Sequence, residues 1–516
     1  MEKFLFAIEY FALFMGALML IAITYKVLQI FQQSHYQLRS FKKIIKYYYL
    51  KDRTNIWPPF VFFIFYLHLW YIQLIFGIYL GVLIFFKIKK KNIQNLKFTF
   101  RIRRLCTVII IFKTLLVSIL SWKLPLPHIS SALAIVFLVS PFDILLAALF
   151  IQPLESLISG IYIRKAKRKL KAYKTTVIGI TGSYGKTGTK NILFSFLQDK
   201  YMVLPTEGSY NTMNGVALSI NRNLKSHCQI FIAEMGATGK RDIEKLVKFT
   251  APKYGIITTI GPQHLETFKS MNNIISEKMK LVEGLPEDGI AVLNFDNEYI
   301  KNYPYKSKCR KISFGLCNEA DYQAFDLKAD LNGLNFKIRY KKKEVSLRTA
   351  LLGTHNLYNI LAAFALANEL GVPLKELVYQ TSVLEPVPNR LSLRTEANLI
   401  ILDDGFNSNP EGFRNALDVL GYYSKRRILI TPGIVEAGKN EEEINYSLAR
   451  KISEICDLVI LVETAASLAI SRGLEELRFK NVKIVEDFRE AMKYVRSKEK
   501  EAVVLIENDI TDIYKL

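Results

Sequence analysis

Cysteine is scarce in this 516-residue chain, and its five cysteines are widely separated. They are Cys106, Cys228, Cys309, Cys317 and Cys456, which form neither C-x-x-C pairs nor a disulfide-like spacing. This pattern argues against a zinc site and is typical of a reducing compartment. Internal repeats and low-complexity tracts are also lacking, so we expect ordinary folded domains, about three for this length.

Acidic residues are scarce in the first third of the chain. Residues 1–174 contain 25 Lys and Arg against 5 Asp and Glu, whereas the remainder contains 45 against 42. The long apolar runs lie in the same third, so its charge favours contact with anionic lipid headgroups over nucleic-acid binding. We therefore expect membrane lipid as a partner and no nucleic acid.

Two apolar stretches of 28 residues each, 4–31 and 59–86, are long enough for transmembrane helices. The first lacks a signal-peptide cleavage site, which predicts a retained anchor. Two further candidate spans are less purely apolar because each contains a charged residue: 106–122 with Lys113, and 131–152 with Asp143.

Lysine and arginine indicate the orientation of these spans. The basic segments 87–105 and 164–169 predict cytoplasmic placement, which would put 32–58 outside if all four spans cross the membrane. That loop is basic too. Either 59–86 enters the membrane and returns to the same side, or the enrichment of basic residues in cytoplasmic loops does not hold here. We expect a multi-pass protein of the cell membrane with cytoplasmic catalytic domains.

A glycine-rich segment, GITGSYGKT at 179–187, follows a β-branched run. A turn of this kind between a strand and a helix points backbone N–H groups at a polyphosphate, while lysine neutralises charge and threonine ligates magnesium. The strict P-loop pattern would require glycine at position 180, so this loop is a variant with Gly182 three residues before Gly185. It predicts the use of ATP or GTP.

From Thr175 onward, β-branched runs alternate with helical patterns, which predicts parallel sheets covered by helices. The predicted strands are 175–180, 229–233, 255–260, 399–403, 427–431, 458–462 and 503–506. We interpret 310–350 as a β-meander insertion and the proline-containing segment 385–389 as a linker. The predicted architecture is a helical membrane region (1–174), a P-loop NTPase-like α/β domain with a β insertion (175–385) and a Rossmann-like domain (386–516).

Three further residues follow strands or lie on helices near this loop. Glu234 follows a predicted strand, and ligands of open α/β sheets lie at that edge, so it could bind magnesium. His264 follows a second strand, although a lone histidine is more often structural. Lys278 is by itself consistent with a solvated helix face.

The motifs occur in an order that resembles the ATP-dependent Mur ligases, most closely the MurF branch, from about 175 to 516. They are TGSYGKT at 181–187, Gly208-x-x-Asn211 with Gly215, EMGA at 234–237, IG-x-x-HLE at 260–266, Lys278 before GLP at 284–286, N-x-D at 294–296, G-x-HN-x-x-N at 353–359, Arg390, and D-x-FN-x-NP at 404–410.

The resemblance implies roles for individual residues. Catalytic roles are implied for Lys186, Glu234, His264 and Lys278, with Lys278 carbamylated. Metal contacts are implied for Thr187, Glu234, His264 and Lys278, and nucleotide contacts for Gly182, Ser183, Gly185, Lys186, Thr187, Gly188, His355, Asn356, Arg390 and Asp404. Substrate contacts are implied for Asn211, Asn407, Asn409 and Glu436. ATP and Mg²⁺ are thus the expected cosubstrate and metal.

The implied reaction is amide formation through an acyl phosphate during peptidoglycan precursor synthesis. The amine would be an amino acid or dipeptide, D-alanyl-D-alanine by nearest resemblance. The chain departs from the pattern after its last predicted strand, where the family usually shows Lys-Gly-Ser-Arg and this chain has LIEND at 505–509. It also departs at Asn445, where the family tends to have histidine. The resemblance implies an N-terminal UDP-muramoyl-binding domain, and we expect the membrane third to take its place.

These departures leave two alternatives open. One is a Mur-type ligase that acts on a different substrate, either lipid-linked or polymeric. The other is an ATP-driven transporter, since four candidate spans precede a nucleotide domain. Against the transporter, the sequence has Glu234 where a Walker-B aspartate would lie and shows no ABC-type signature.

Overall fold

The computed structural model describes residues 97–123, 129–263, 265–406, 408–435 and 440–508, together with ten single positions between 14 and 32. The predicted span 59–86 therefore lies outside the described residues, and only single positions of 4–31 are described. The chain divides into two compact units, one ending at Ile158 and the other beginning at Ser159.

The first unit contains helix α1 (Phe100–Lys123) and most of the long helix α2 (Ile129–Ala172). The candidate spans 106–122 and 131–152 fall on these two helices. The charged residues inside them form an ion pair, with Lys113 Nζ 2.7 Å from Asp143 Oδ2. Within the described residues, one helical stretch, Phe142–Ala172, has the length and apolar composition that a bilayer crossing requires.

The second unit begins with a nine-stranded sheet. Its strands are β1 (Thr176–Thr181), β2 (Val203–Pro205), β3 (Ile230–Glu234), β4 (Tyr254–Ile257), β5 (Ile290–Asn294), β6 (Arg310–Gly315), β7 (Tyr322–Asp330), β8 (Gly333–Tyr340) and β9 (Lys343–Thr349), in the spatial order β2-β3-β1-β4-β5-β6-β7-β8-β9. Neighbouring strands from β2 to β7 pair in parallel, and β7, β8 and β9 pair antiparallel.

Helices follow most of these strands: α3 (Lys186–Leu197), α4 (Met213–Asn223), α5 (Asp242–Thr250), α6 (Leu265–Phe268), α7 (Met271–Glu283), α8 (Glu298–Lys301), α9 (His355–Glu369) and α10 (Leu374–Ser382). Side chains alternate between the faces of a strand, so β1 contributes to two cores. Ile178 and Ile180 pack with residues of α3 and α9, whereas Val177 packs with residues of α4, α5 and α7. The sheet is therefore covered on both faces, which explains its uninterrupted apolar strands.

The end of α2 belongs to this second unit. Ala166 and Leu170 are buried in the same core as Val177. Lys169 Nζ donates to the carbonyls of Asn221 (3.1 Å) and Leu224 (3.0 Å), which end α4. The last turns of α2 are thus part of the α/β unit.

A second sheet contains β10 (Ser392–Glu396), β11 (Leu399–Asp404), β12 (Arg426–Thr431), β13 (Leu458–Val462), β14 (Val482–Val485) and β15 (Ala502–Glu507), in the spatial order β10-β11-β15-β12-β13-β14. Its helices are α11 (Pro410–Gly421), α12 (Glu441–Ile455), α13 (Ala465–Glu476) and α14 (Phe488–Lys498). Apart from the antiparallel pair β10 and β11, neighbouring strands run parallel.

The two predicted α/β domains are confirmed, and the seven predicted strands differ from the observed ones by a few residues at most. The prediction for 310–350 needs correction. Arg310–Gly315 is the parallel strand β6, paired with β5, and only 322–349 forms the antiparallel meander. Because β7 pairs with β6, the meander extends the same sheet, a long-range pairing that local sequence does not encode.

Candidate active site

The glycine-rich segment forms a tight loop between β1 and α3. Gly185 has φ +81° at the start of α3, a left-handed conformation that glycine adopts without strain. A Cβ at Gly182 would lie 1.9 Å from Thr258 Oγ1, so the loop also needs glycine there. The loop and the first turn of α3 thus present backbone amides in the geometry of an anion site.

The loop is held from outside by the segment after β4. The Ser183 amide donates to Thr259 O (2.7 Å), and the Ser183 hydroxyl donates to Gly261 O (2.9 Å) and accepts from the Gly261 amide (3.0 Å). Tyr184 O accepts from Thr258 Oγ1 at 2.5 Å. Ser183 therefore fixes the shape of the loop.

Lys186, the first residue of α3, folds back over the loop. Its Nζ donates to Gly182 O (2.7 Å) and Ser183 O (3.0 Å). Burial lowers its pKa to about 8, while the nearby Glu234 carboxylate opposes this shift and the Arg390 guanidinium adds to it. The charges of Glu234 and Arg390 therefore both act at the loop.

Glu234 ends β3 and is 1% exposed. Its Oε2 accepts hydrogen bonds from Thr187 Oγ1 (3.0 Å) and Lys190 Nζ (3.1 Å), and its Oε1 accepts from Asn211 Nδ2 (3.2 Å). The predicted metal residues Thr187 and Glu234 are thus adjacent, and the predicted substrate residue Asn211 adjoins them.

Lys278 reaches the same loop from α7. It is 2% exposed, and its Nζ donates to Gly182 O at 2.9 Å. Burial and then the charge of Lys186 lower its pKa well below the usual lysine value. The neighbouring carboxylate of Glu277 is engaged elsewhere, by the amides of Arg241 (2.8 Å) and Ile243 (2.7 Å).

The start of α9 adjoins α3. Asn359 Oδ1 accepts from Thr189 Oγ1 (3.1 Å), and Asn359 Nδ2 donates to Asn356 Oδ1 (3.1 Å). A Cβ at Gly188 would lie 2.7 Å from Asn359 Nδ2, so a larger residue there would displace the Asn359 side chain. His355 is neutral, because burial and Arg390 lower its pKa to about 4, and its enclosed Nδ1 has no hydrogen-bond partner among the described residues.

Arg390 lies between α10 and β10, in the connection between the two sheets. Its guanidinium stacks over the Phe406 ring at 4.3 Å. Burial lowers its pKa, and the charges of Asp404 and Glu234 oppose that shift. Asp404 Oδ1 accepts from the amide of Leu391 at 3.1 Å. A cation from the connecting segment thus interacts with residues of both sheets.

Asn409 caps a helix in the second domain. Its Oδ1 accepts from the Gly412 amide (2.9 Å) at the start of α11, where Pro410 is the first helical residue. The predicted residues His264, Asn407 and Glu436 lie outside the described residues, so their roles stay predictions.

Two sequence profiles match the chain. The profile of the Mur ligase middle domain matches residues 180–367, and that of the Mur ligase, glutamate ligase domain matches residues 389–507. Together they span more than half of the chain. Residues 180–507 belong to the Mur ligase family.

Individual Mur ligases are similar over the same region. The UDP-N-acetylmuramoyl-tripeptide--D-alanyl-D-alanine ligase of Bacillus subtilis is 30% identical over 292 residues, covering 56% of this chain and 62% of the relative. Its Haemophilus influenzae namesake is 30% identical over 289 residues, covering 55% and 62%. This chain thus spans about three fifths of the length of these curated relatives.

Solved Mur ligase structures share the fold. MurF from Acinetobacter baumannii superposes with a TM-score of 0.62 at 24% identity, covering 68% of this chain and 77% of that one. MurF ligase from Thermotoga maritima in complex with ADP gives 0.61 at 24% identity, covering 69% and 82%.

Lys190 is the residue of this Mur ligase site that sequence reasoning missed. It is 1% exposed, and besides Glu234 it donates to Gly208 O. Its signal in the sequence is its spacing, four residues after Lys186 and three after Thr187, which places all three on one face of α3. Lys190 thus connects α3, through its side chain, to the loop that carries Asn211.

Proposed function

We propose that the protein is an ATP-dependent amide ligase of the MurF type in peptidoglycan precursor synthesis. One observation carries the proposal: Lys186, Thr187, Glu234 and Lys278, from three separate elements, converge on the loop after β1. The curated relatives from Bacillus subtilis and Haemophilus influenzae are both named UDP-N-acetylmuramoyl-tripeptide--D-alanyl-D-alanine ligase. We therefore propose those two substrates and ATP for this chain.

The donor set at the loop fits a magnesium ion of the phosphate-bridging kind. Such an ion takes one hydroxyl and one or two carboxylates from protein, and phosphate and water oxygens complete its octahedron. Thr187 Oγ1 and Glu234 Oε2 are already within 3.0 Å of each other. Bound magnesium would screen the converging negative charges.

The chain's own residues would position and neutralise the reactants. Lys186 and the loop amides hold the triphosphate, and the γ-phosphoryl group passes to the substrate carboxylate with ADP as leaving group. The amine then attacks the acyl phosphate, forming the amide, losing a proton and releasing phosphate. Arg390 adds positive charge from the connecting segment, and bringing three reactants into line is the entropic part of the task.

Lys278 is suited to carbamylation. An amine must be neutral to attack carbon dioxide, and burial keeps the pKa of Lys278 well below its usual value. Its terminal nitrogen lies on the loop, 2.9 Å from Gly182 O. The carbamate would replace a buried neutral amine by an anion, which Lys186 and a magnesium ion held by Thr187 and Glu234 would stabilise.

The membrane location remains part of the proposal. It is supported by the apolar stretches 4–31 and 59–86, by the apolar side chains that α1 and α2 expose, and by the ion pair of Lys113 with Asp143. Pairing neutralises charges that would be costly in lipid. We propose a multi-pass cell-membrane protein with cytoplasmic catalytic domains, and this arrangement favours a lipid-linked precursor as the alternative carboxylate substrate.

The test is an assay of the full chain in nanodiscs with ATP and Mg²⁺. One arm adds UDP-muramoyl tripeptide and D-alanyl-D-alanine, and a second replaces the nucleotide-linked tripeptide by a lipid-linked muramoyl tripeptide. We expect phosphate release only when both cosubstrates are present, with the amide product seen by mass spectrometry. Phosphate release without either cosubstrate would support the transporter, and product in the second arm alone would establish the lipid-linked substrate.

A further inference from the structure

The strands β11 and β15 end side by side at the carboxyl edge of the second sheet, and each ends in a carboxylic acid. Asp404 and Glu507 are register partners in this parallel pair. Their side chains are within hydrogen-bonding reach of each other. Glu507 is 1% exposed and Asp404 is half-buried.

Two of the four oxygens of the pair accept hydrogen bonds from neighbouring donors. Asp404 Oδ1 accepts from the Leu391 amide at 3.1 Å, and Glu507 Oε1 accepts from Ser408 Oγ at 2.5 Å. Glu507 Oε2 is enclosed, and among the described residues no donor reaches it. If both acids were ionised, two negative charges would meet without a proton between them. One proton shared by the two acids removes both the repulsion and the unsatisfied oxygen.

Few other charges act on the pair. Arg390 favours ionisation of Asp404, and Asp403 on the same strand opposes it. Burial and the neighbouring acid raise the pKa of Glu507 well above its usual value, and burial also raises the pKa of Asp404. The proton is therefore retained when an ordinary exposed glutamate has lost its own.

We propose that Glu507 is a positioning residue of the nucleotide site: by sharing a proton with Asp404, it keeps the Asp404 carboxylate bonded to Leu391 and close to Arg390. This inference rests on the proposed function, in which Asp404 and Arg390 contact the nucleotide. Loss of the proton drives Asp404 away from Glu507, and the connecting segment loses its anchor.

The first readout is thermal unfolding of the full chain between pH 5 and 9, which needs no ligase activity. A carboxyl group with a raised folded-state pKa stabilises the protein below its unfolded pKa, and that stability is lost as pH rises through the folded value. We expect wild type to lose stability over this range, and Glu507→Gln to lose less, because an amide donates to Asp404 at every pH. Glu501→Gln, an exposed acid paired with Lys425, is the matched control and should follow wild type.

The second readout is the affinity for ADP with Mg²⁺ by calorimetry over the same pH range. The ratio of the affinity of Glu507→Gln to that of wild type should rise with pH, by up to about tenfold per pH unit above the transition. Ser408→Ala removes a donor that favours the ionised acid, so its transition should move to higher pH, and it tests the idea even if Glu507→Gln fails to fold.

Equal pH slopes of unfolding in wild type, Glu507→Gln and Ser408→Ala would overturn the proposal. A second contrary outcome is that Glu507→Gln loses the same stability at every pH while the ratio of its ADP affinity to that of wild type stays constant with pH. That result would show that Glu507 has a structural role only. Neither outcome bears on whether the chain is a ligase, which the cosubstrate assay decides separately.

Discussion

Lys186 and Lys278 donate to one and the same acceptor, the carbonyl oxygen of Gly182, at 2.7 and 2.9 Å. Positive charge on both groups would produce repulsion at this distance, and burial and then the charge of Lys186 lower the pKa of Lys278. Modification of Lys278 to a carbamate would turn this repulsion into attraction.

The first prediction concerns Lys278. Replacement by alanine should lower ATP-dependent ligation by about 100-fold or more, because it removes an anion that would form only after carbamylation. Added acetate or formate should restore part of the rate in Lys278→Ala. The control is Lys280→Ala on the exposed face of the same helix. Unchanged turnover in Lys278→Ala would refute the carbamate assignment.

The second prediction concerns Lys186. Lys186→Ala should abolish ATP turnover and weaken ADP binding measured by calorimetry, since the loop loses the positive charge that neutralises the polyphosphate. Lys200→Ala, a lysine beyond the end of α3, serves as the comparison and should keep both properties. Normal ADP affinity in Lys186→Ala would show that the polyphosphate binds elsewhere.

The third prediction concerns the buried pair of Lys190 and Glu234. Removing one partner of such a pair leaves an uncompensated charge, so Lys190→Met should lower the free energy of unfolding by about 3 kcal/mol. The double variant Lys190→Met with Glu234→Gln should recover part of this loss, because it no longer contains an unpaired buried carboxylate. Denaturant unfolding of both single variants and the double variant gives the coupling.

The surface pair of Lys253 with Asp288 provides the control for that cycle. Lys253→Met should change the free energy of unfolding by less than about 1 kcal/mol. If Lys190→Met were as mild as Lys253→Met, Lys190 would not be holding Glu234 in place.

The fourth prediction concerns α1 and α2. Lys113→Leu should lower the thermal stability of the detergent-solubilised protein, because Asp143 keeps a buried charge without its partner. Combining it with Asp143→Leu should restore stability toward wild type. Equal destabilisation by the single and double variants would mean that the ion pair is incidental.

Much of the site could be predicted because its residues follow strands. The position of Glu234 at the end of β3 and of the glycine-rich loop after β1 is local in sequence, and the sheet then brings the two together. Lys278 is different, since only the family resemblance distinguished it from an exposed lysine on a charged helix. Its burial depends on how α7 packs against the loop.

Other features depend on pairings that the sequence does not display. Lys190 follows a polar turn and has the pattern of an exposed residue until Glu234 is placed opposite it. Glu507 becomes a neighbour of Asp404 only because β15 inserts between β11 and β12, far along the chain. For the same reason, the sequence predicts β6 in the meander and not in the parallel sheet.

The position of Arg390 has a consequence for how the two domains communicate. The charge of Arg390 acts on Lys186 and Glu234 in the first domain and on Asp404 in the second. Arg390 itself belongs to the segment that connects the two domains. Thermodynamic linkage is reciprocal: if a ligand of the second domain changes the affinity for nucleotide by displacing Arg390, nucleotide changes the affinity for that ligand by the same factor. An inhibitor that binds only the second domain and displaces Arg390 would therefore change the affinity for nucleotide at the loop after β1.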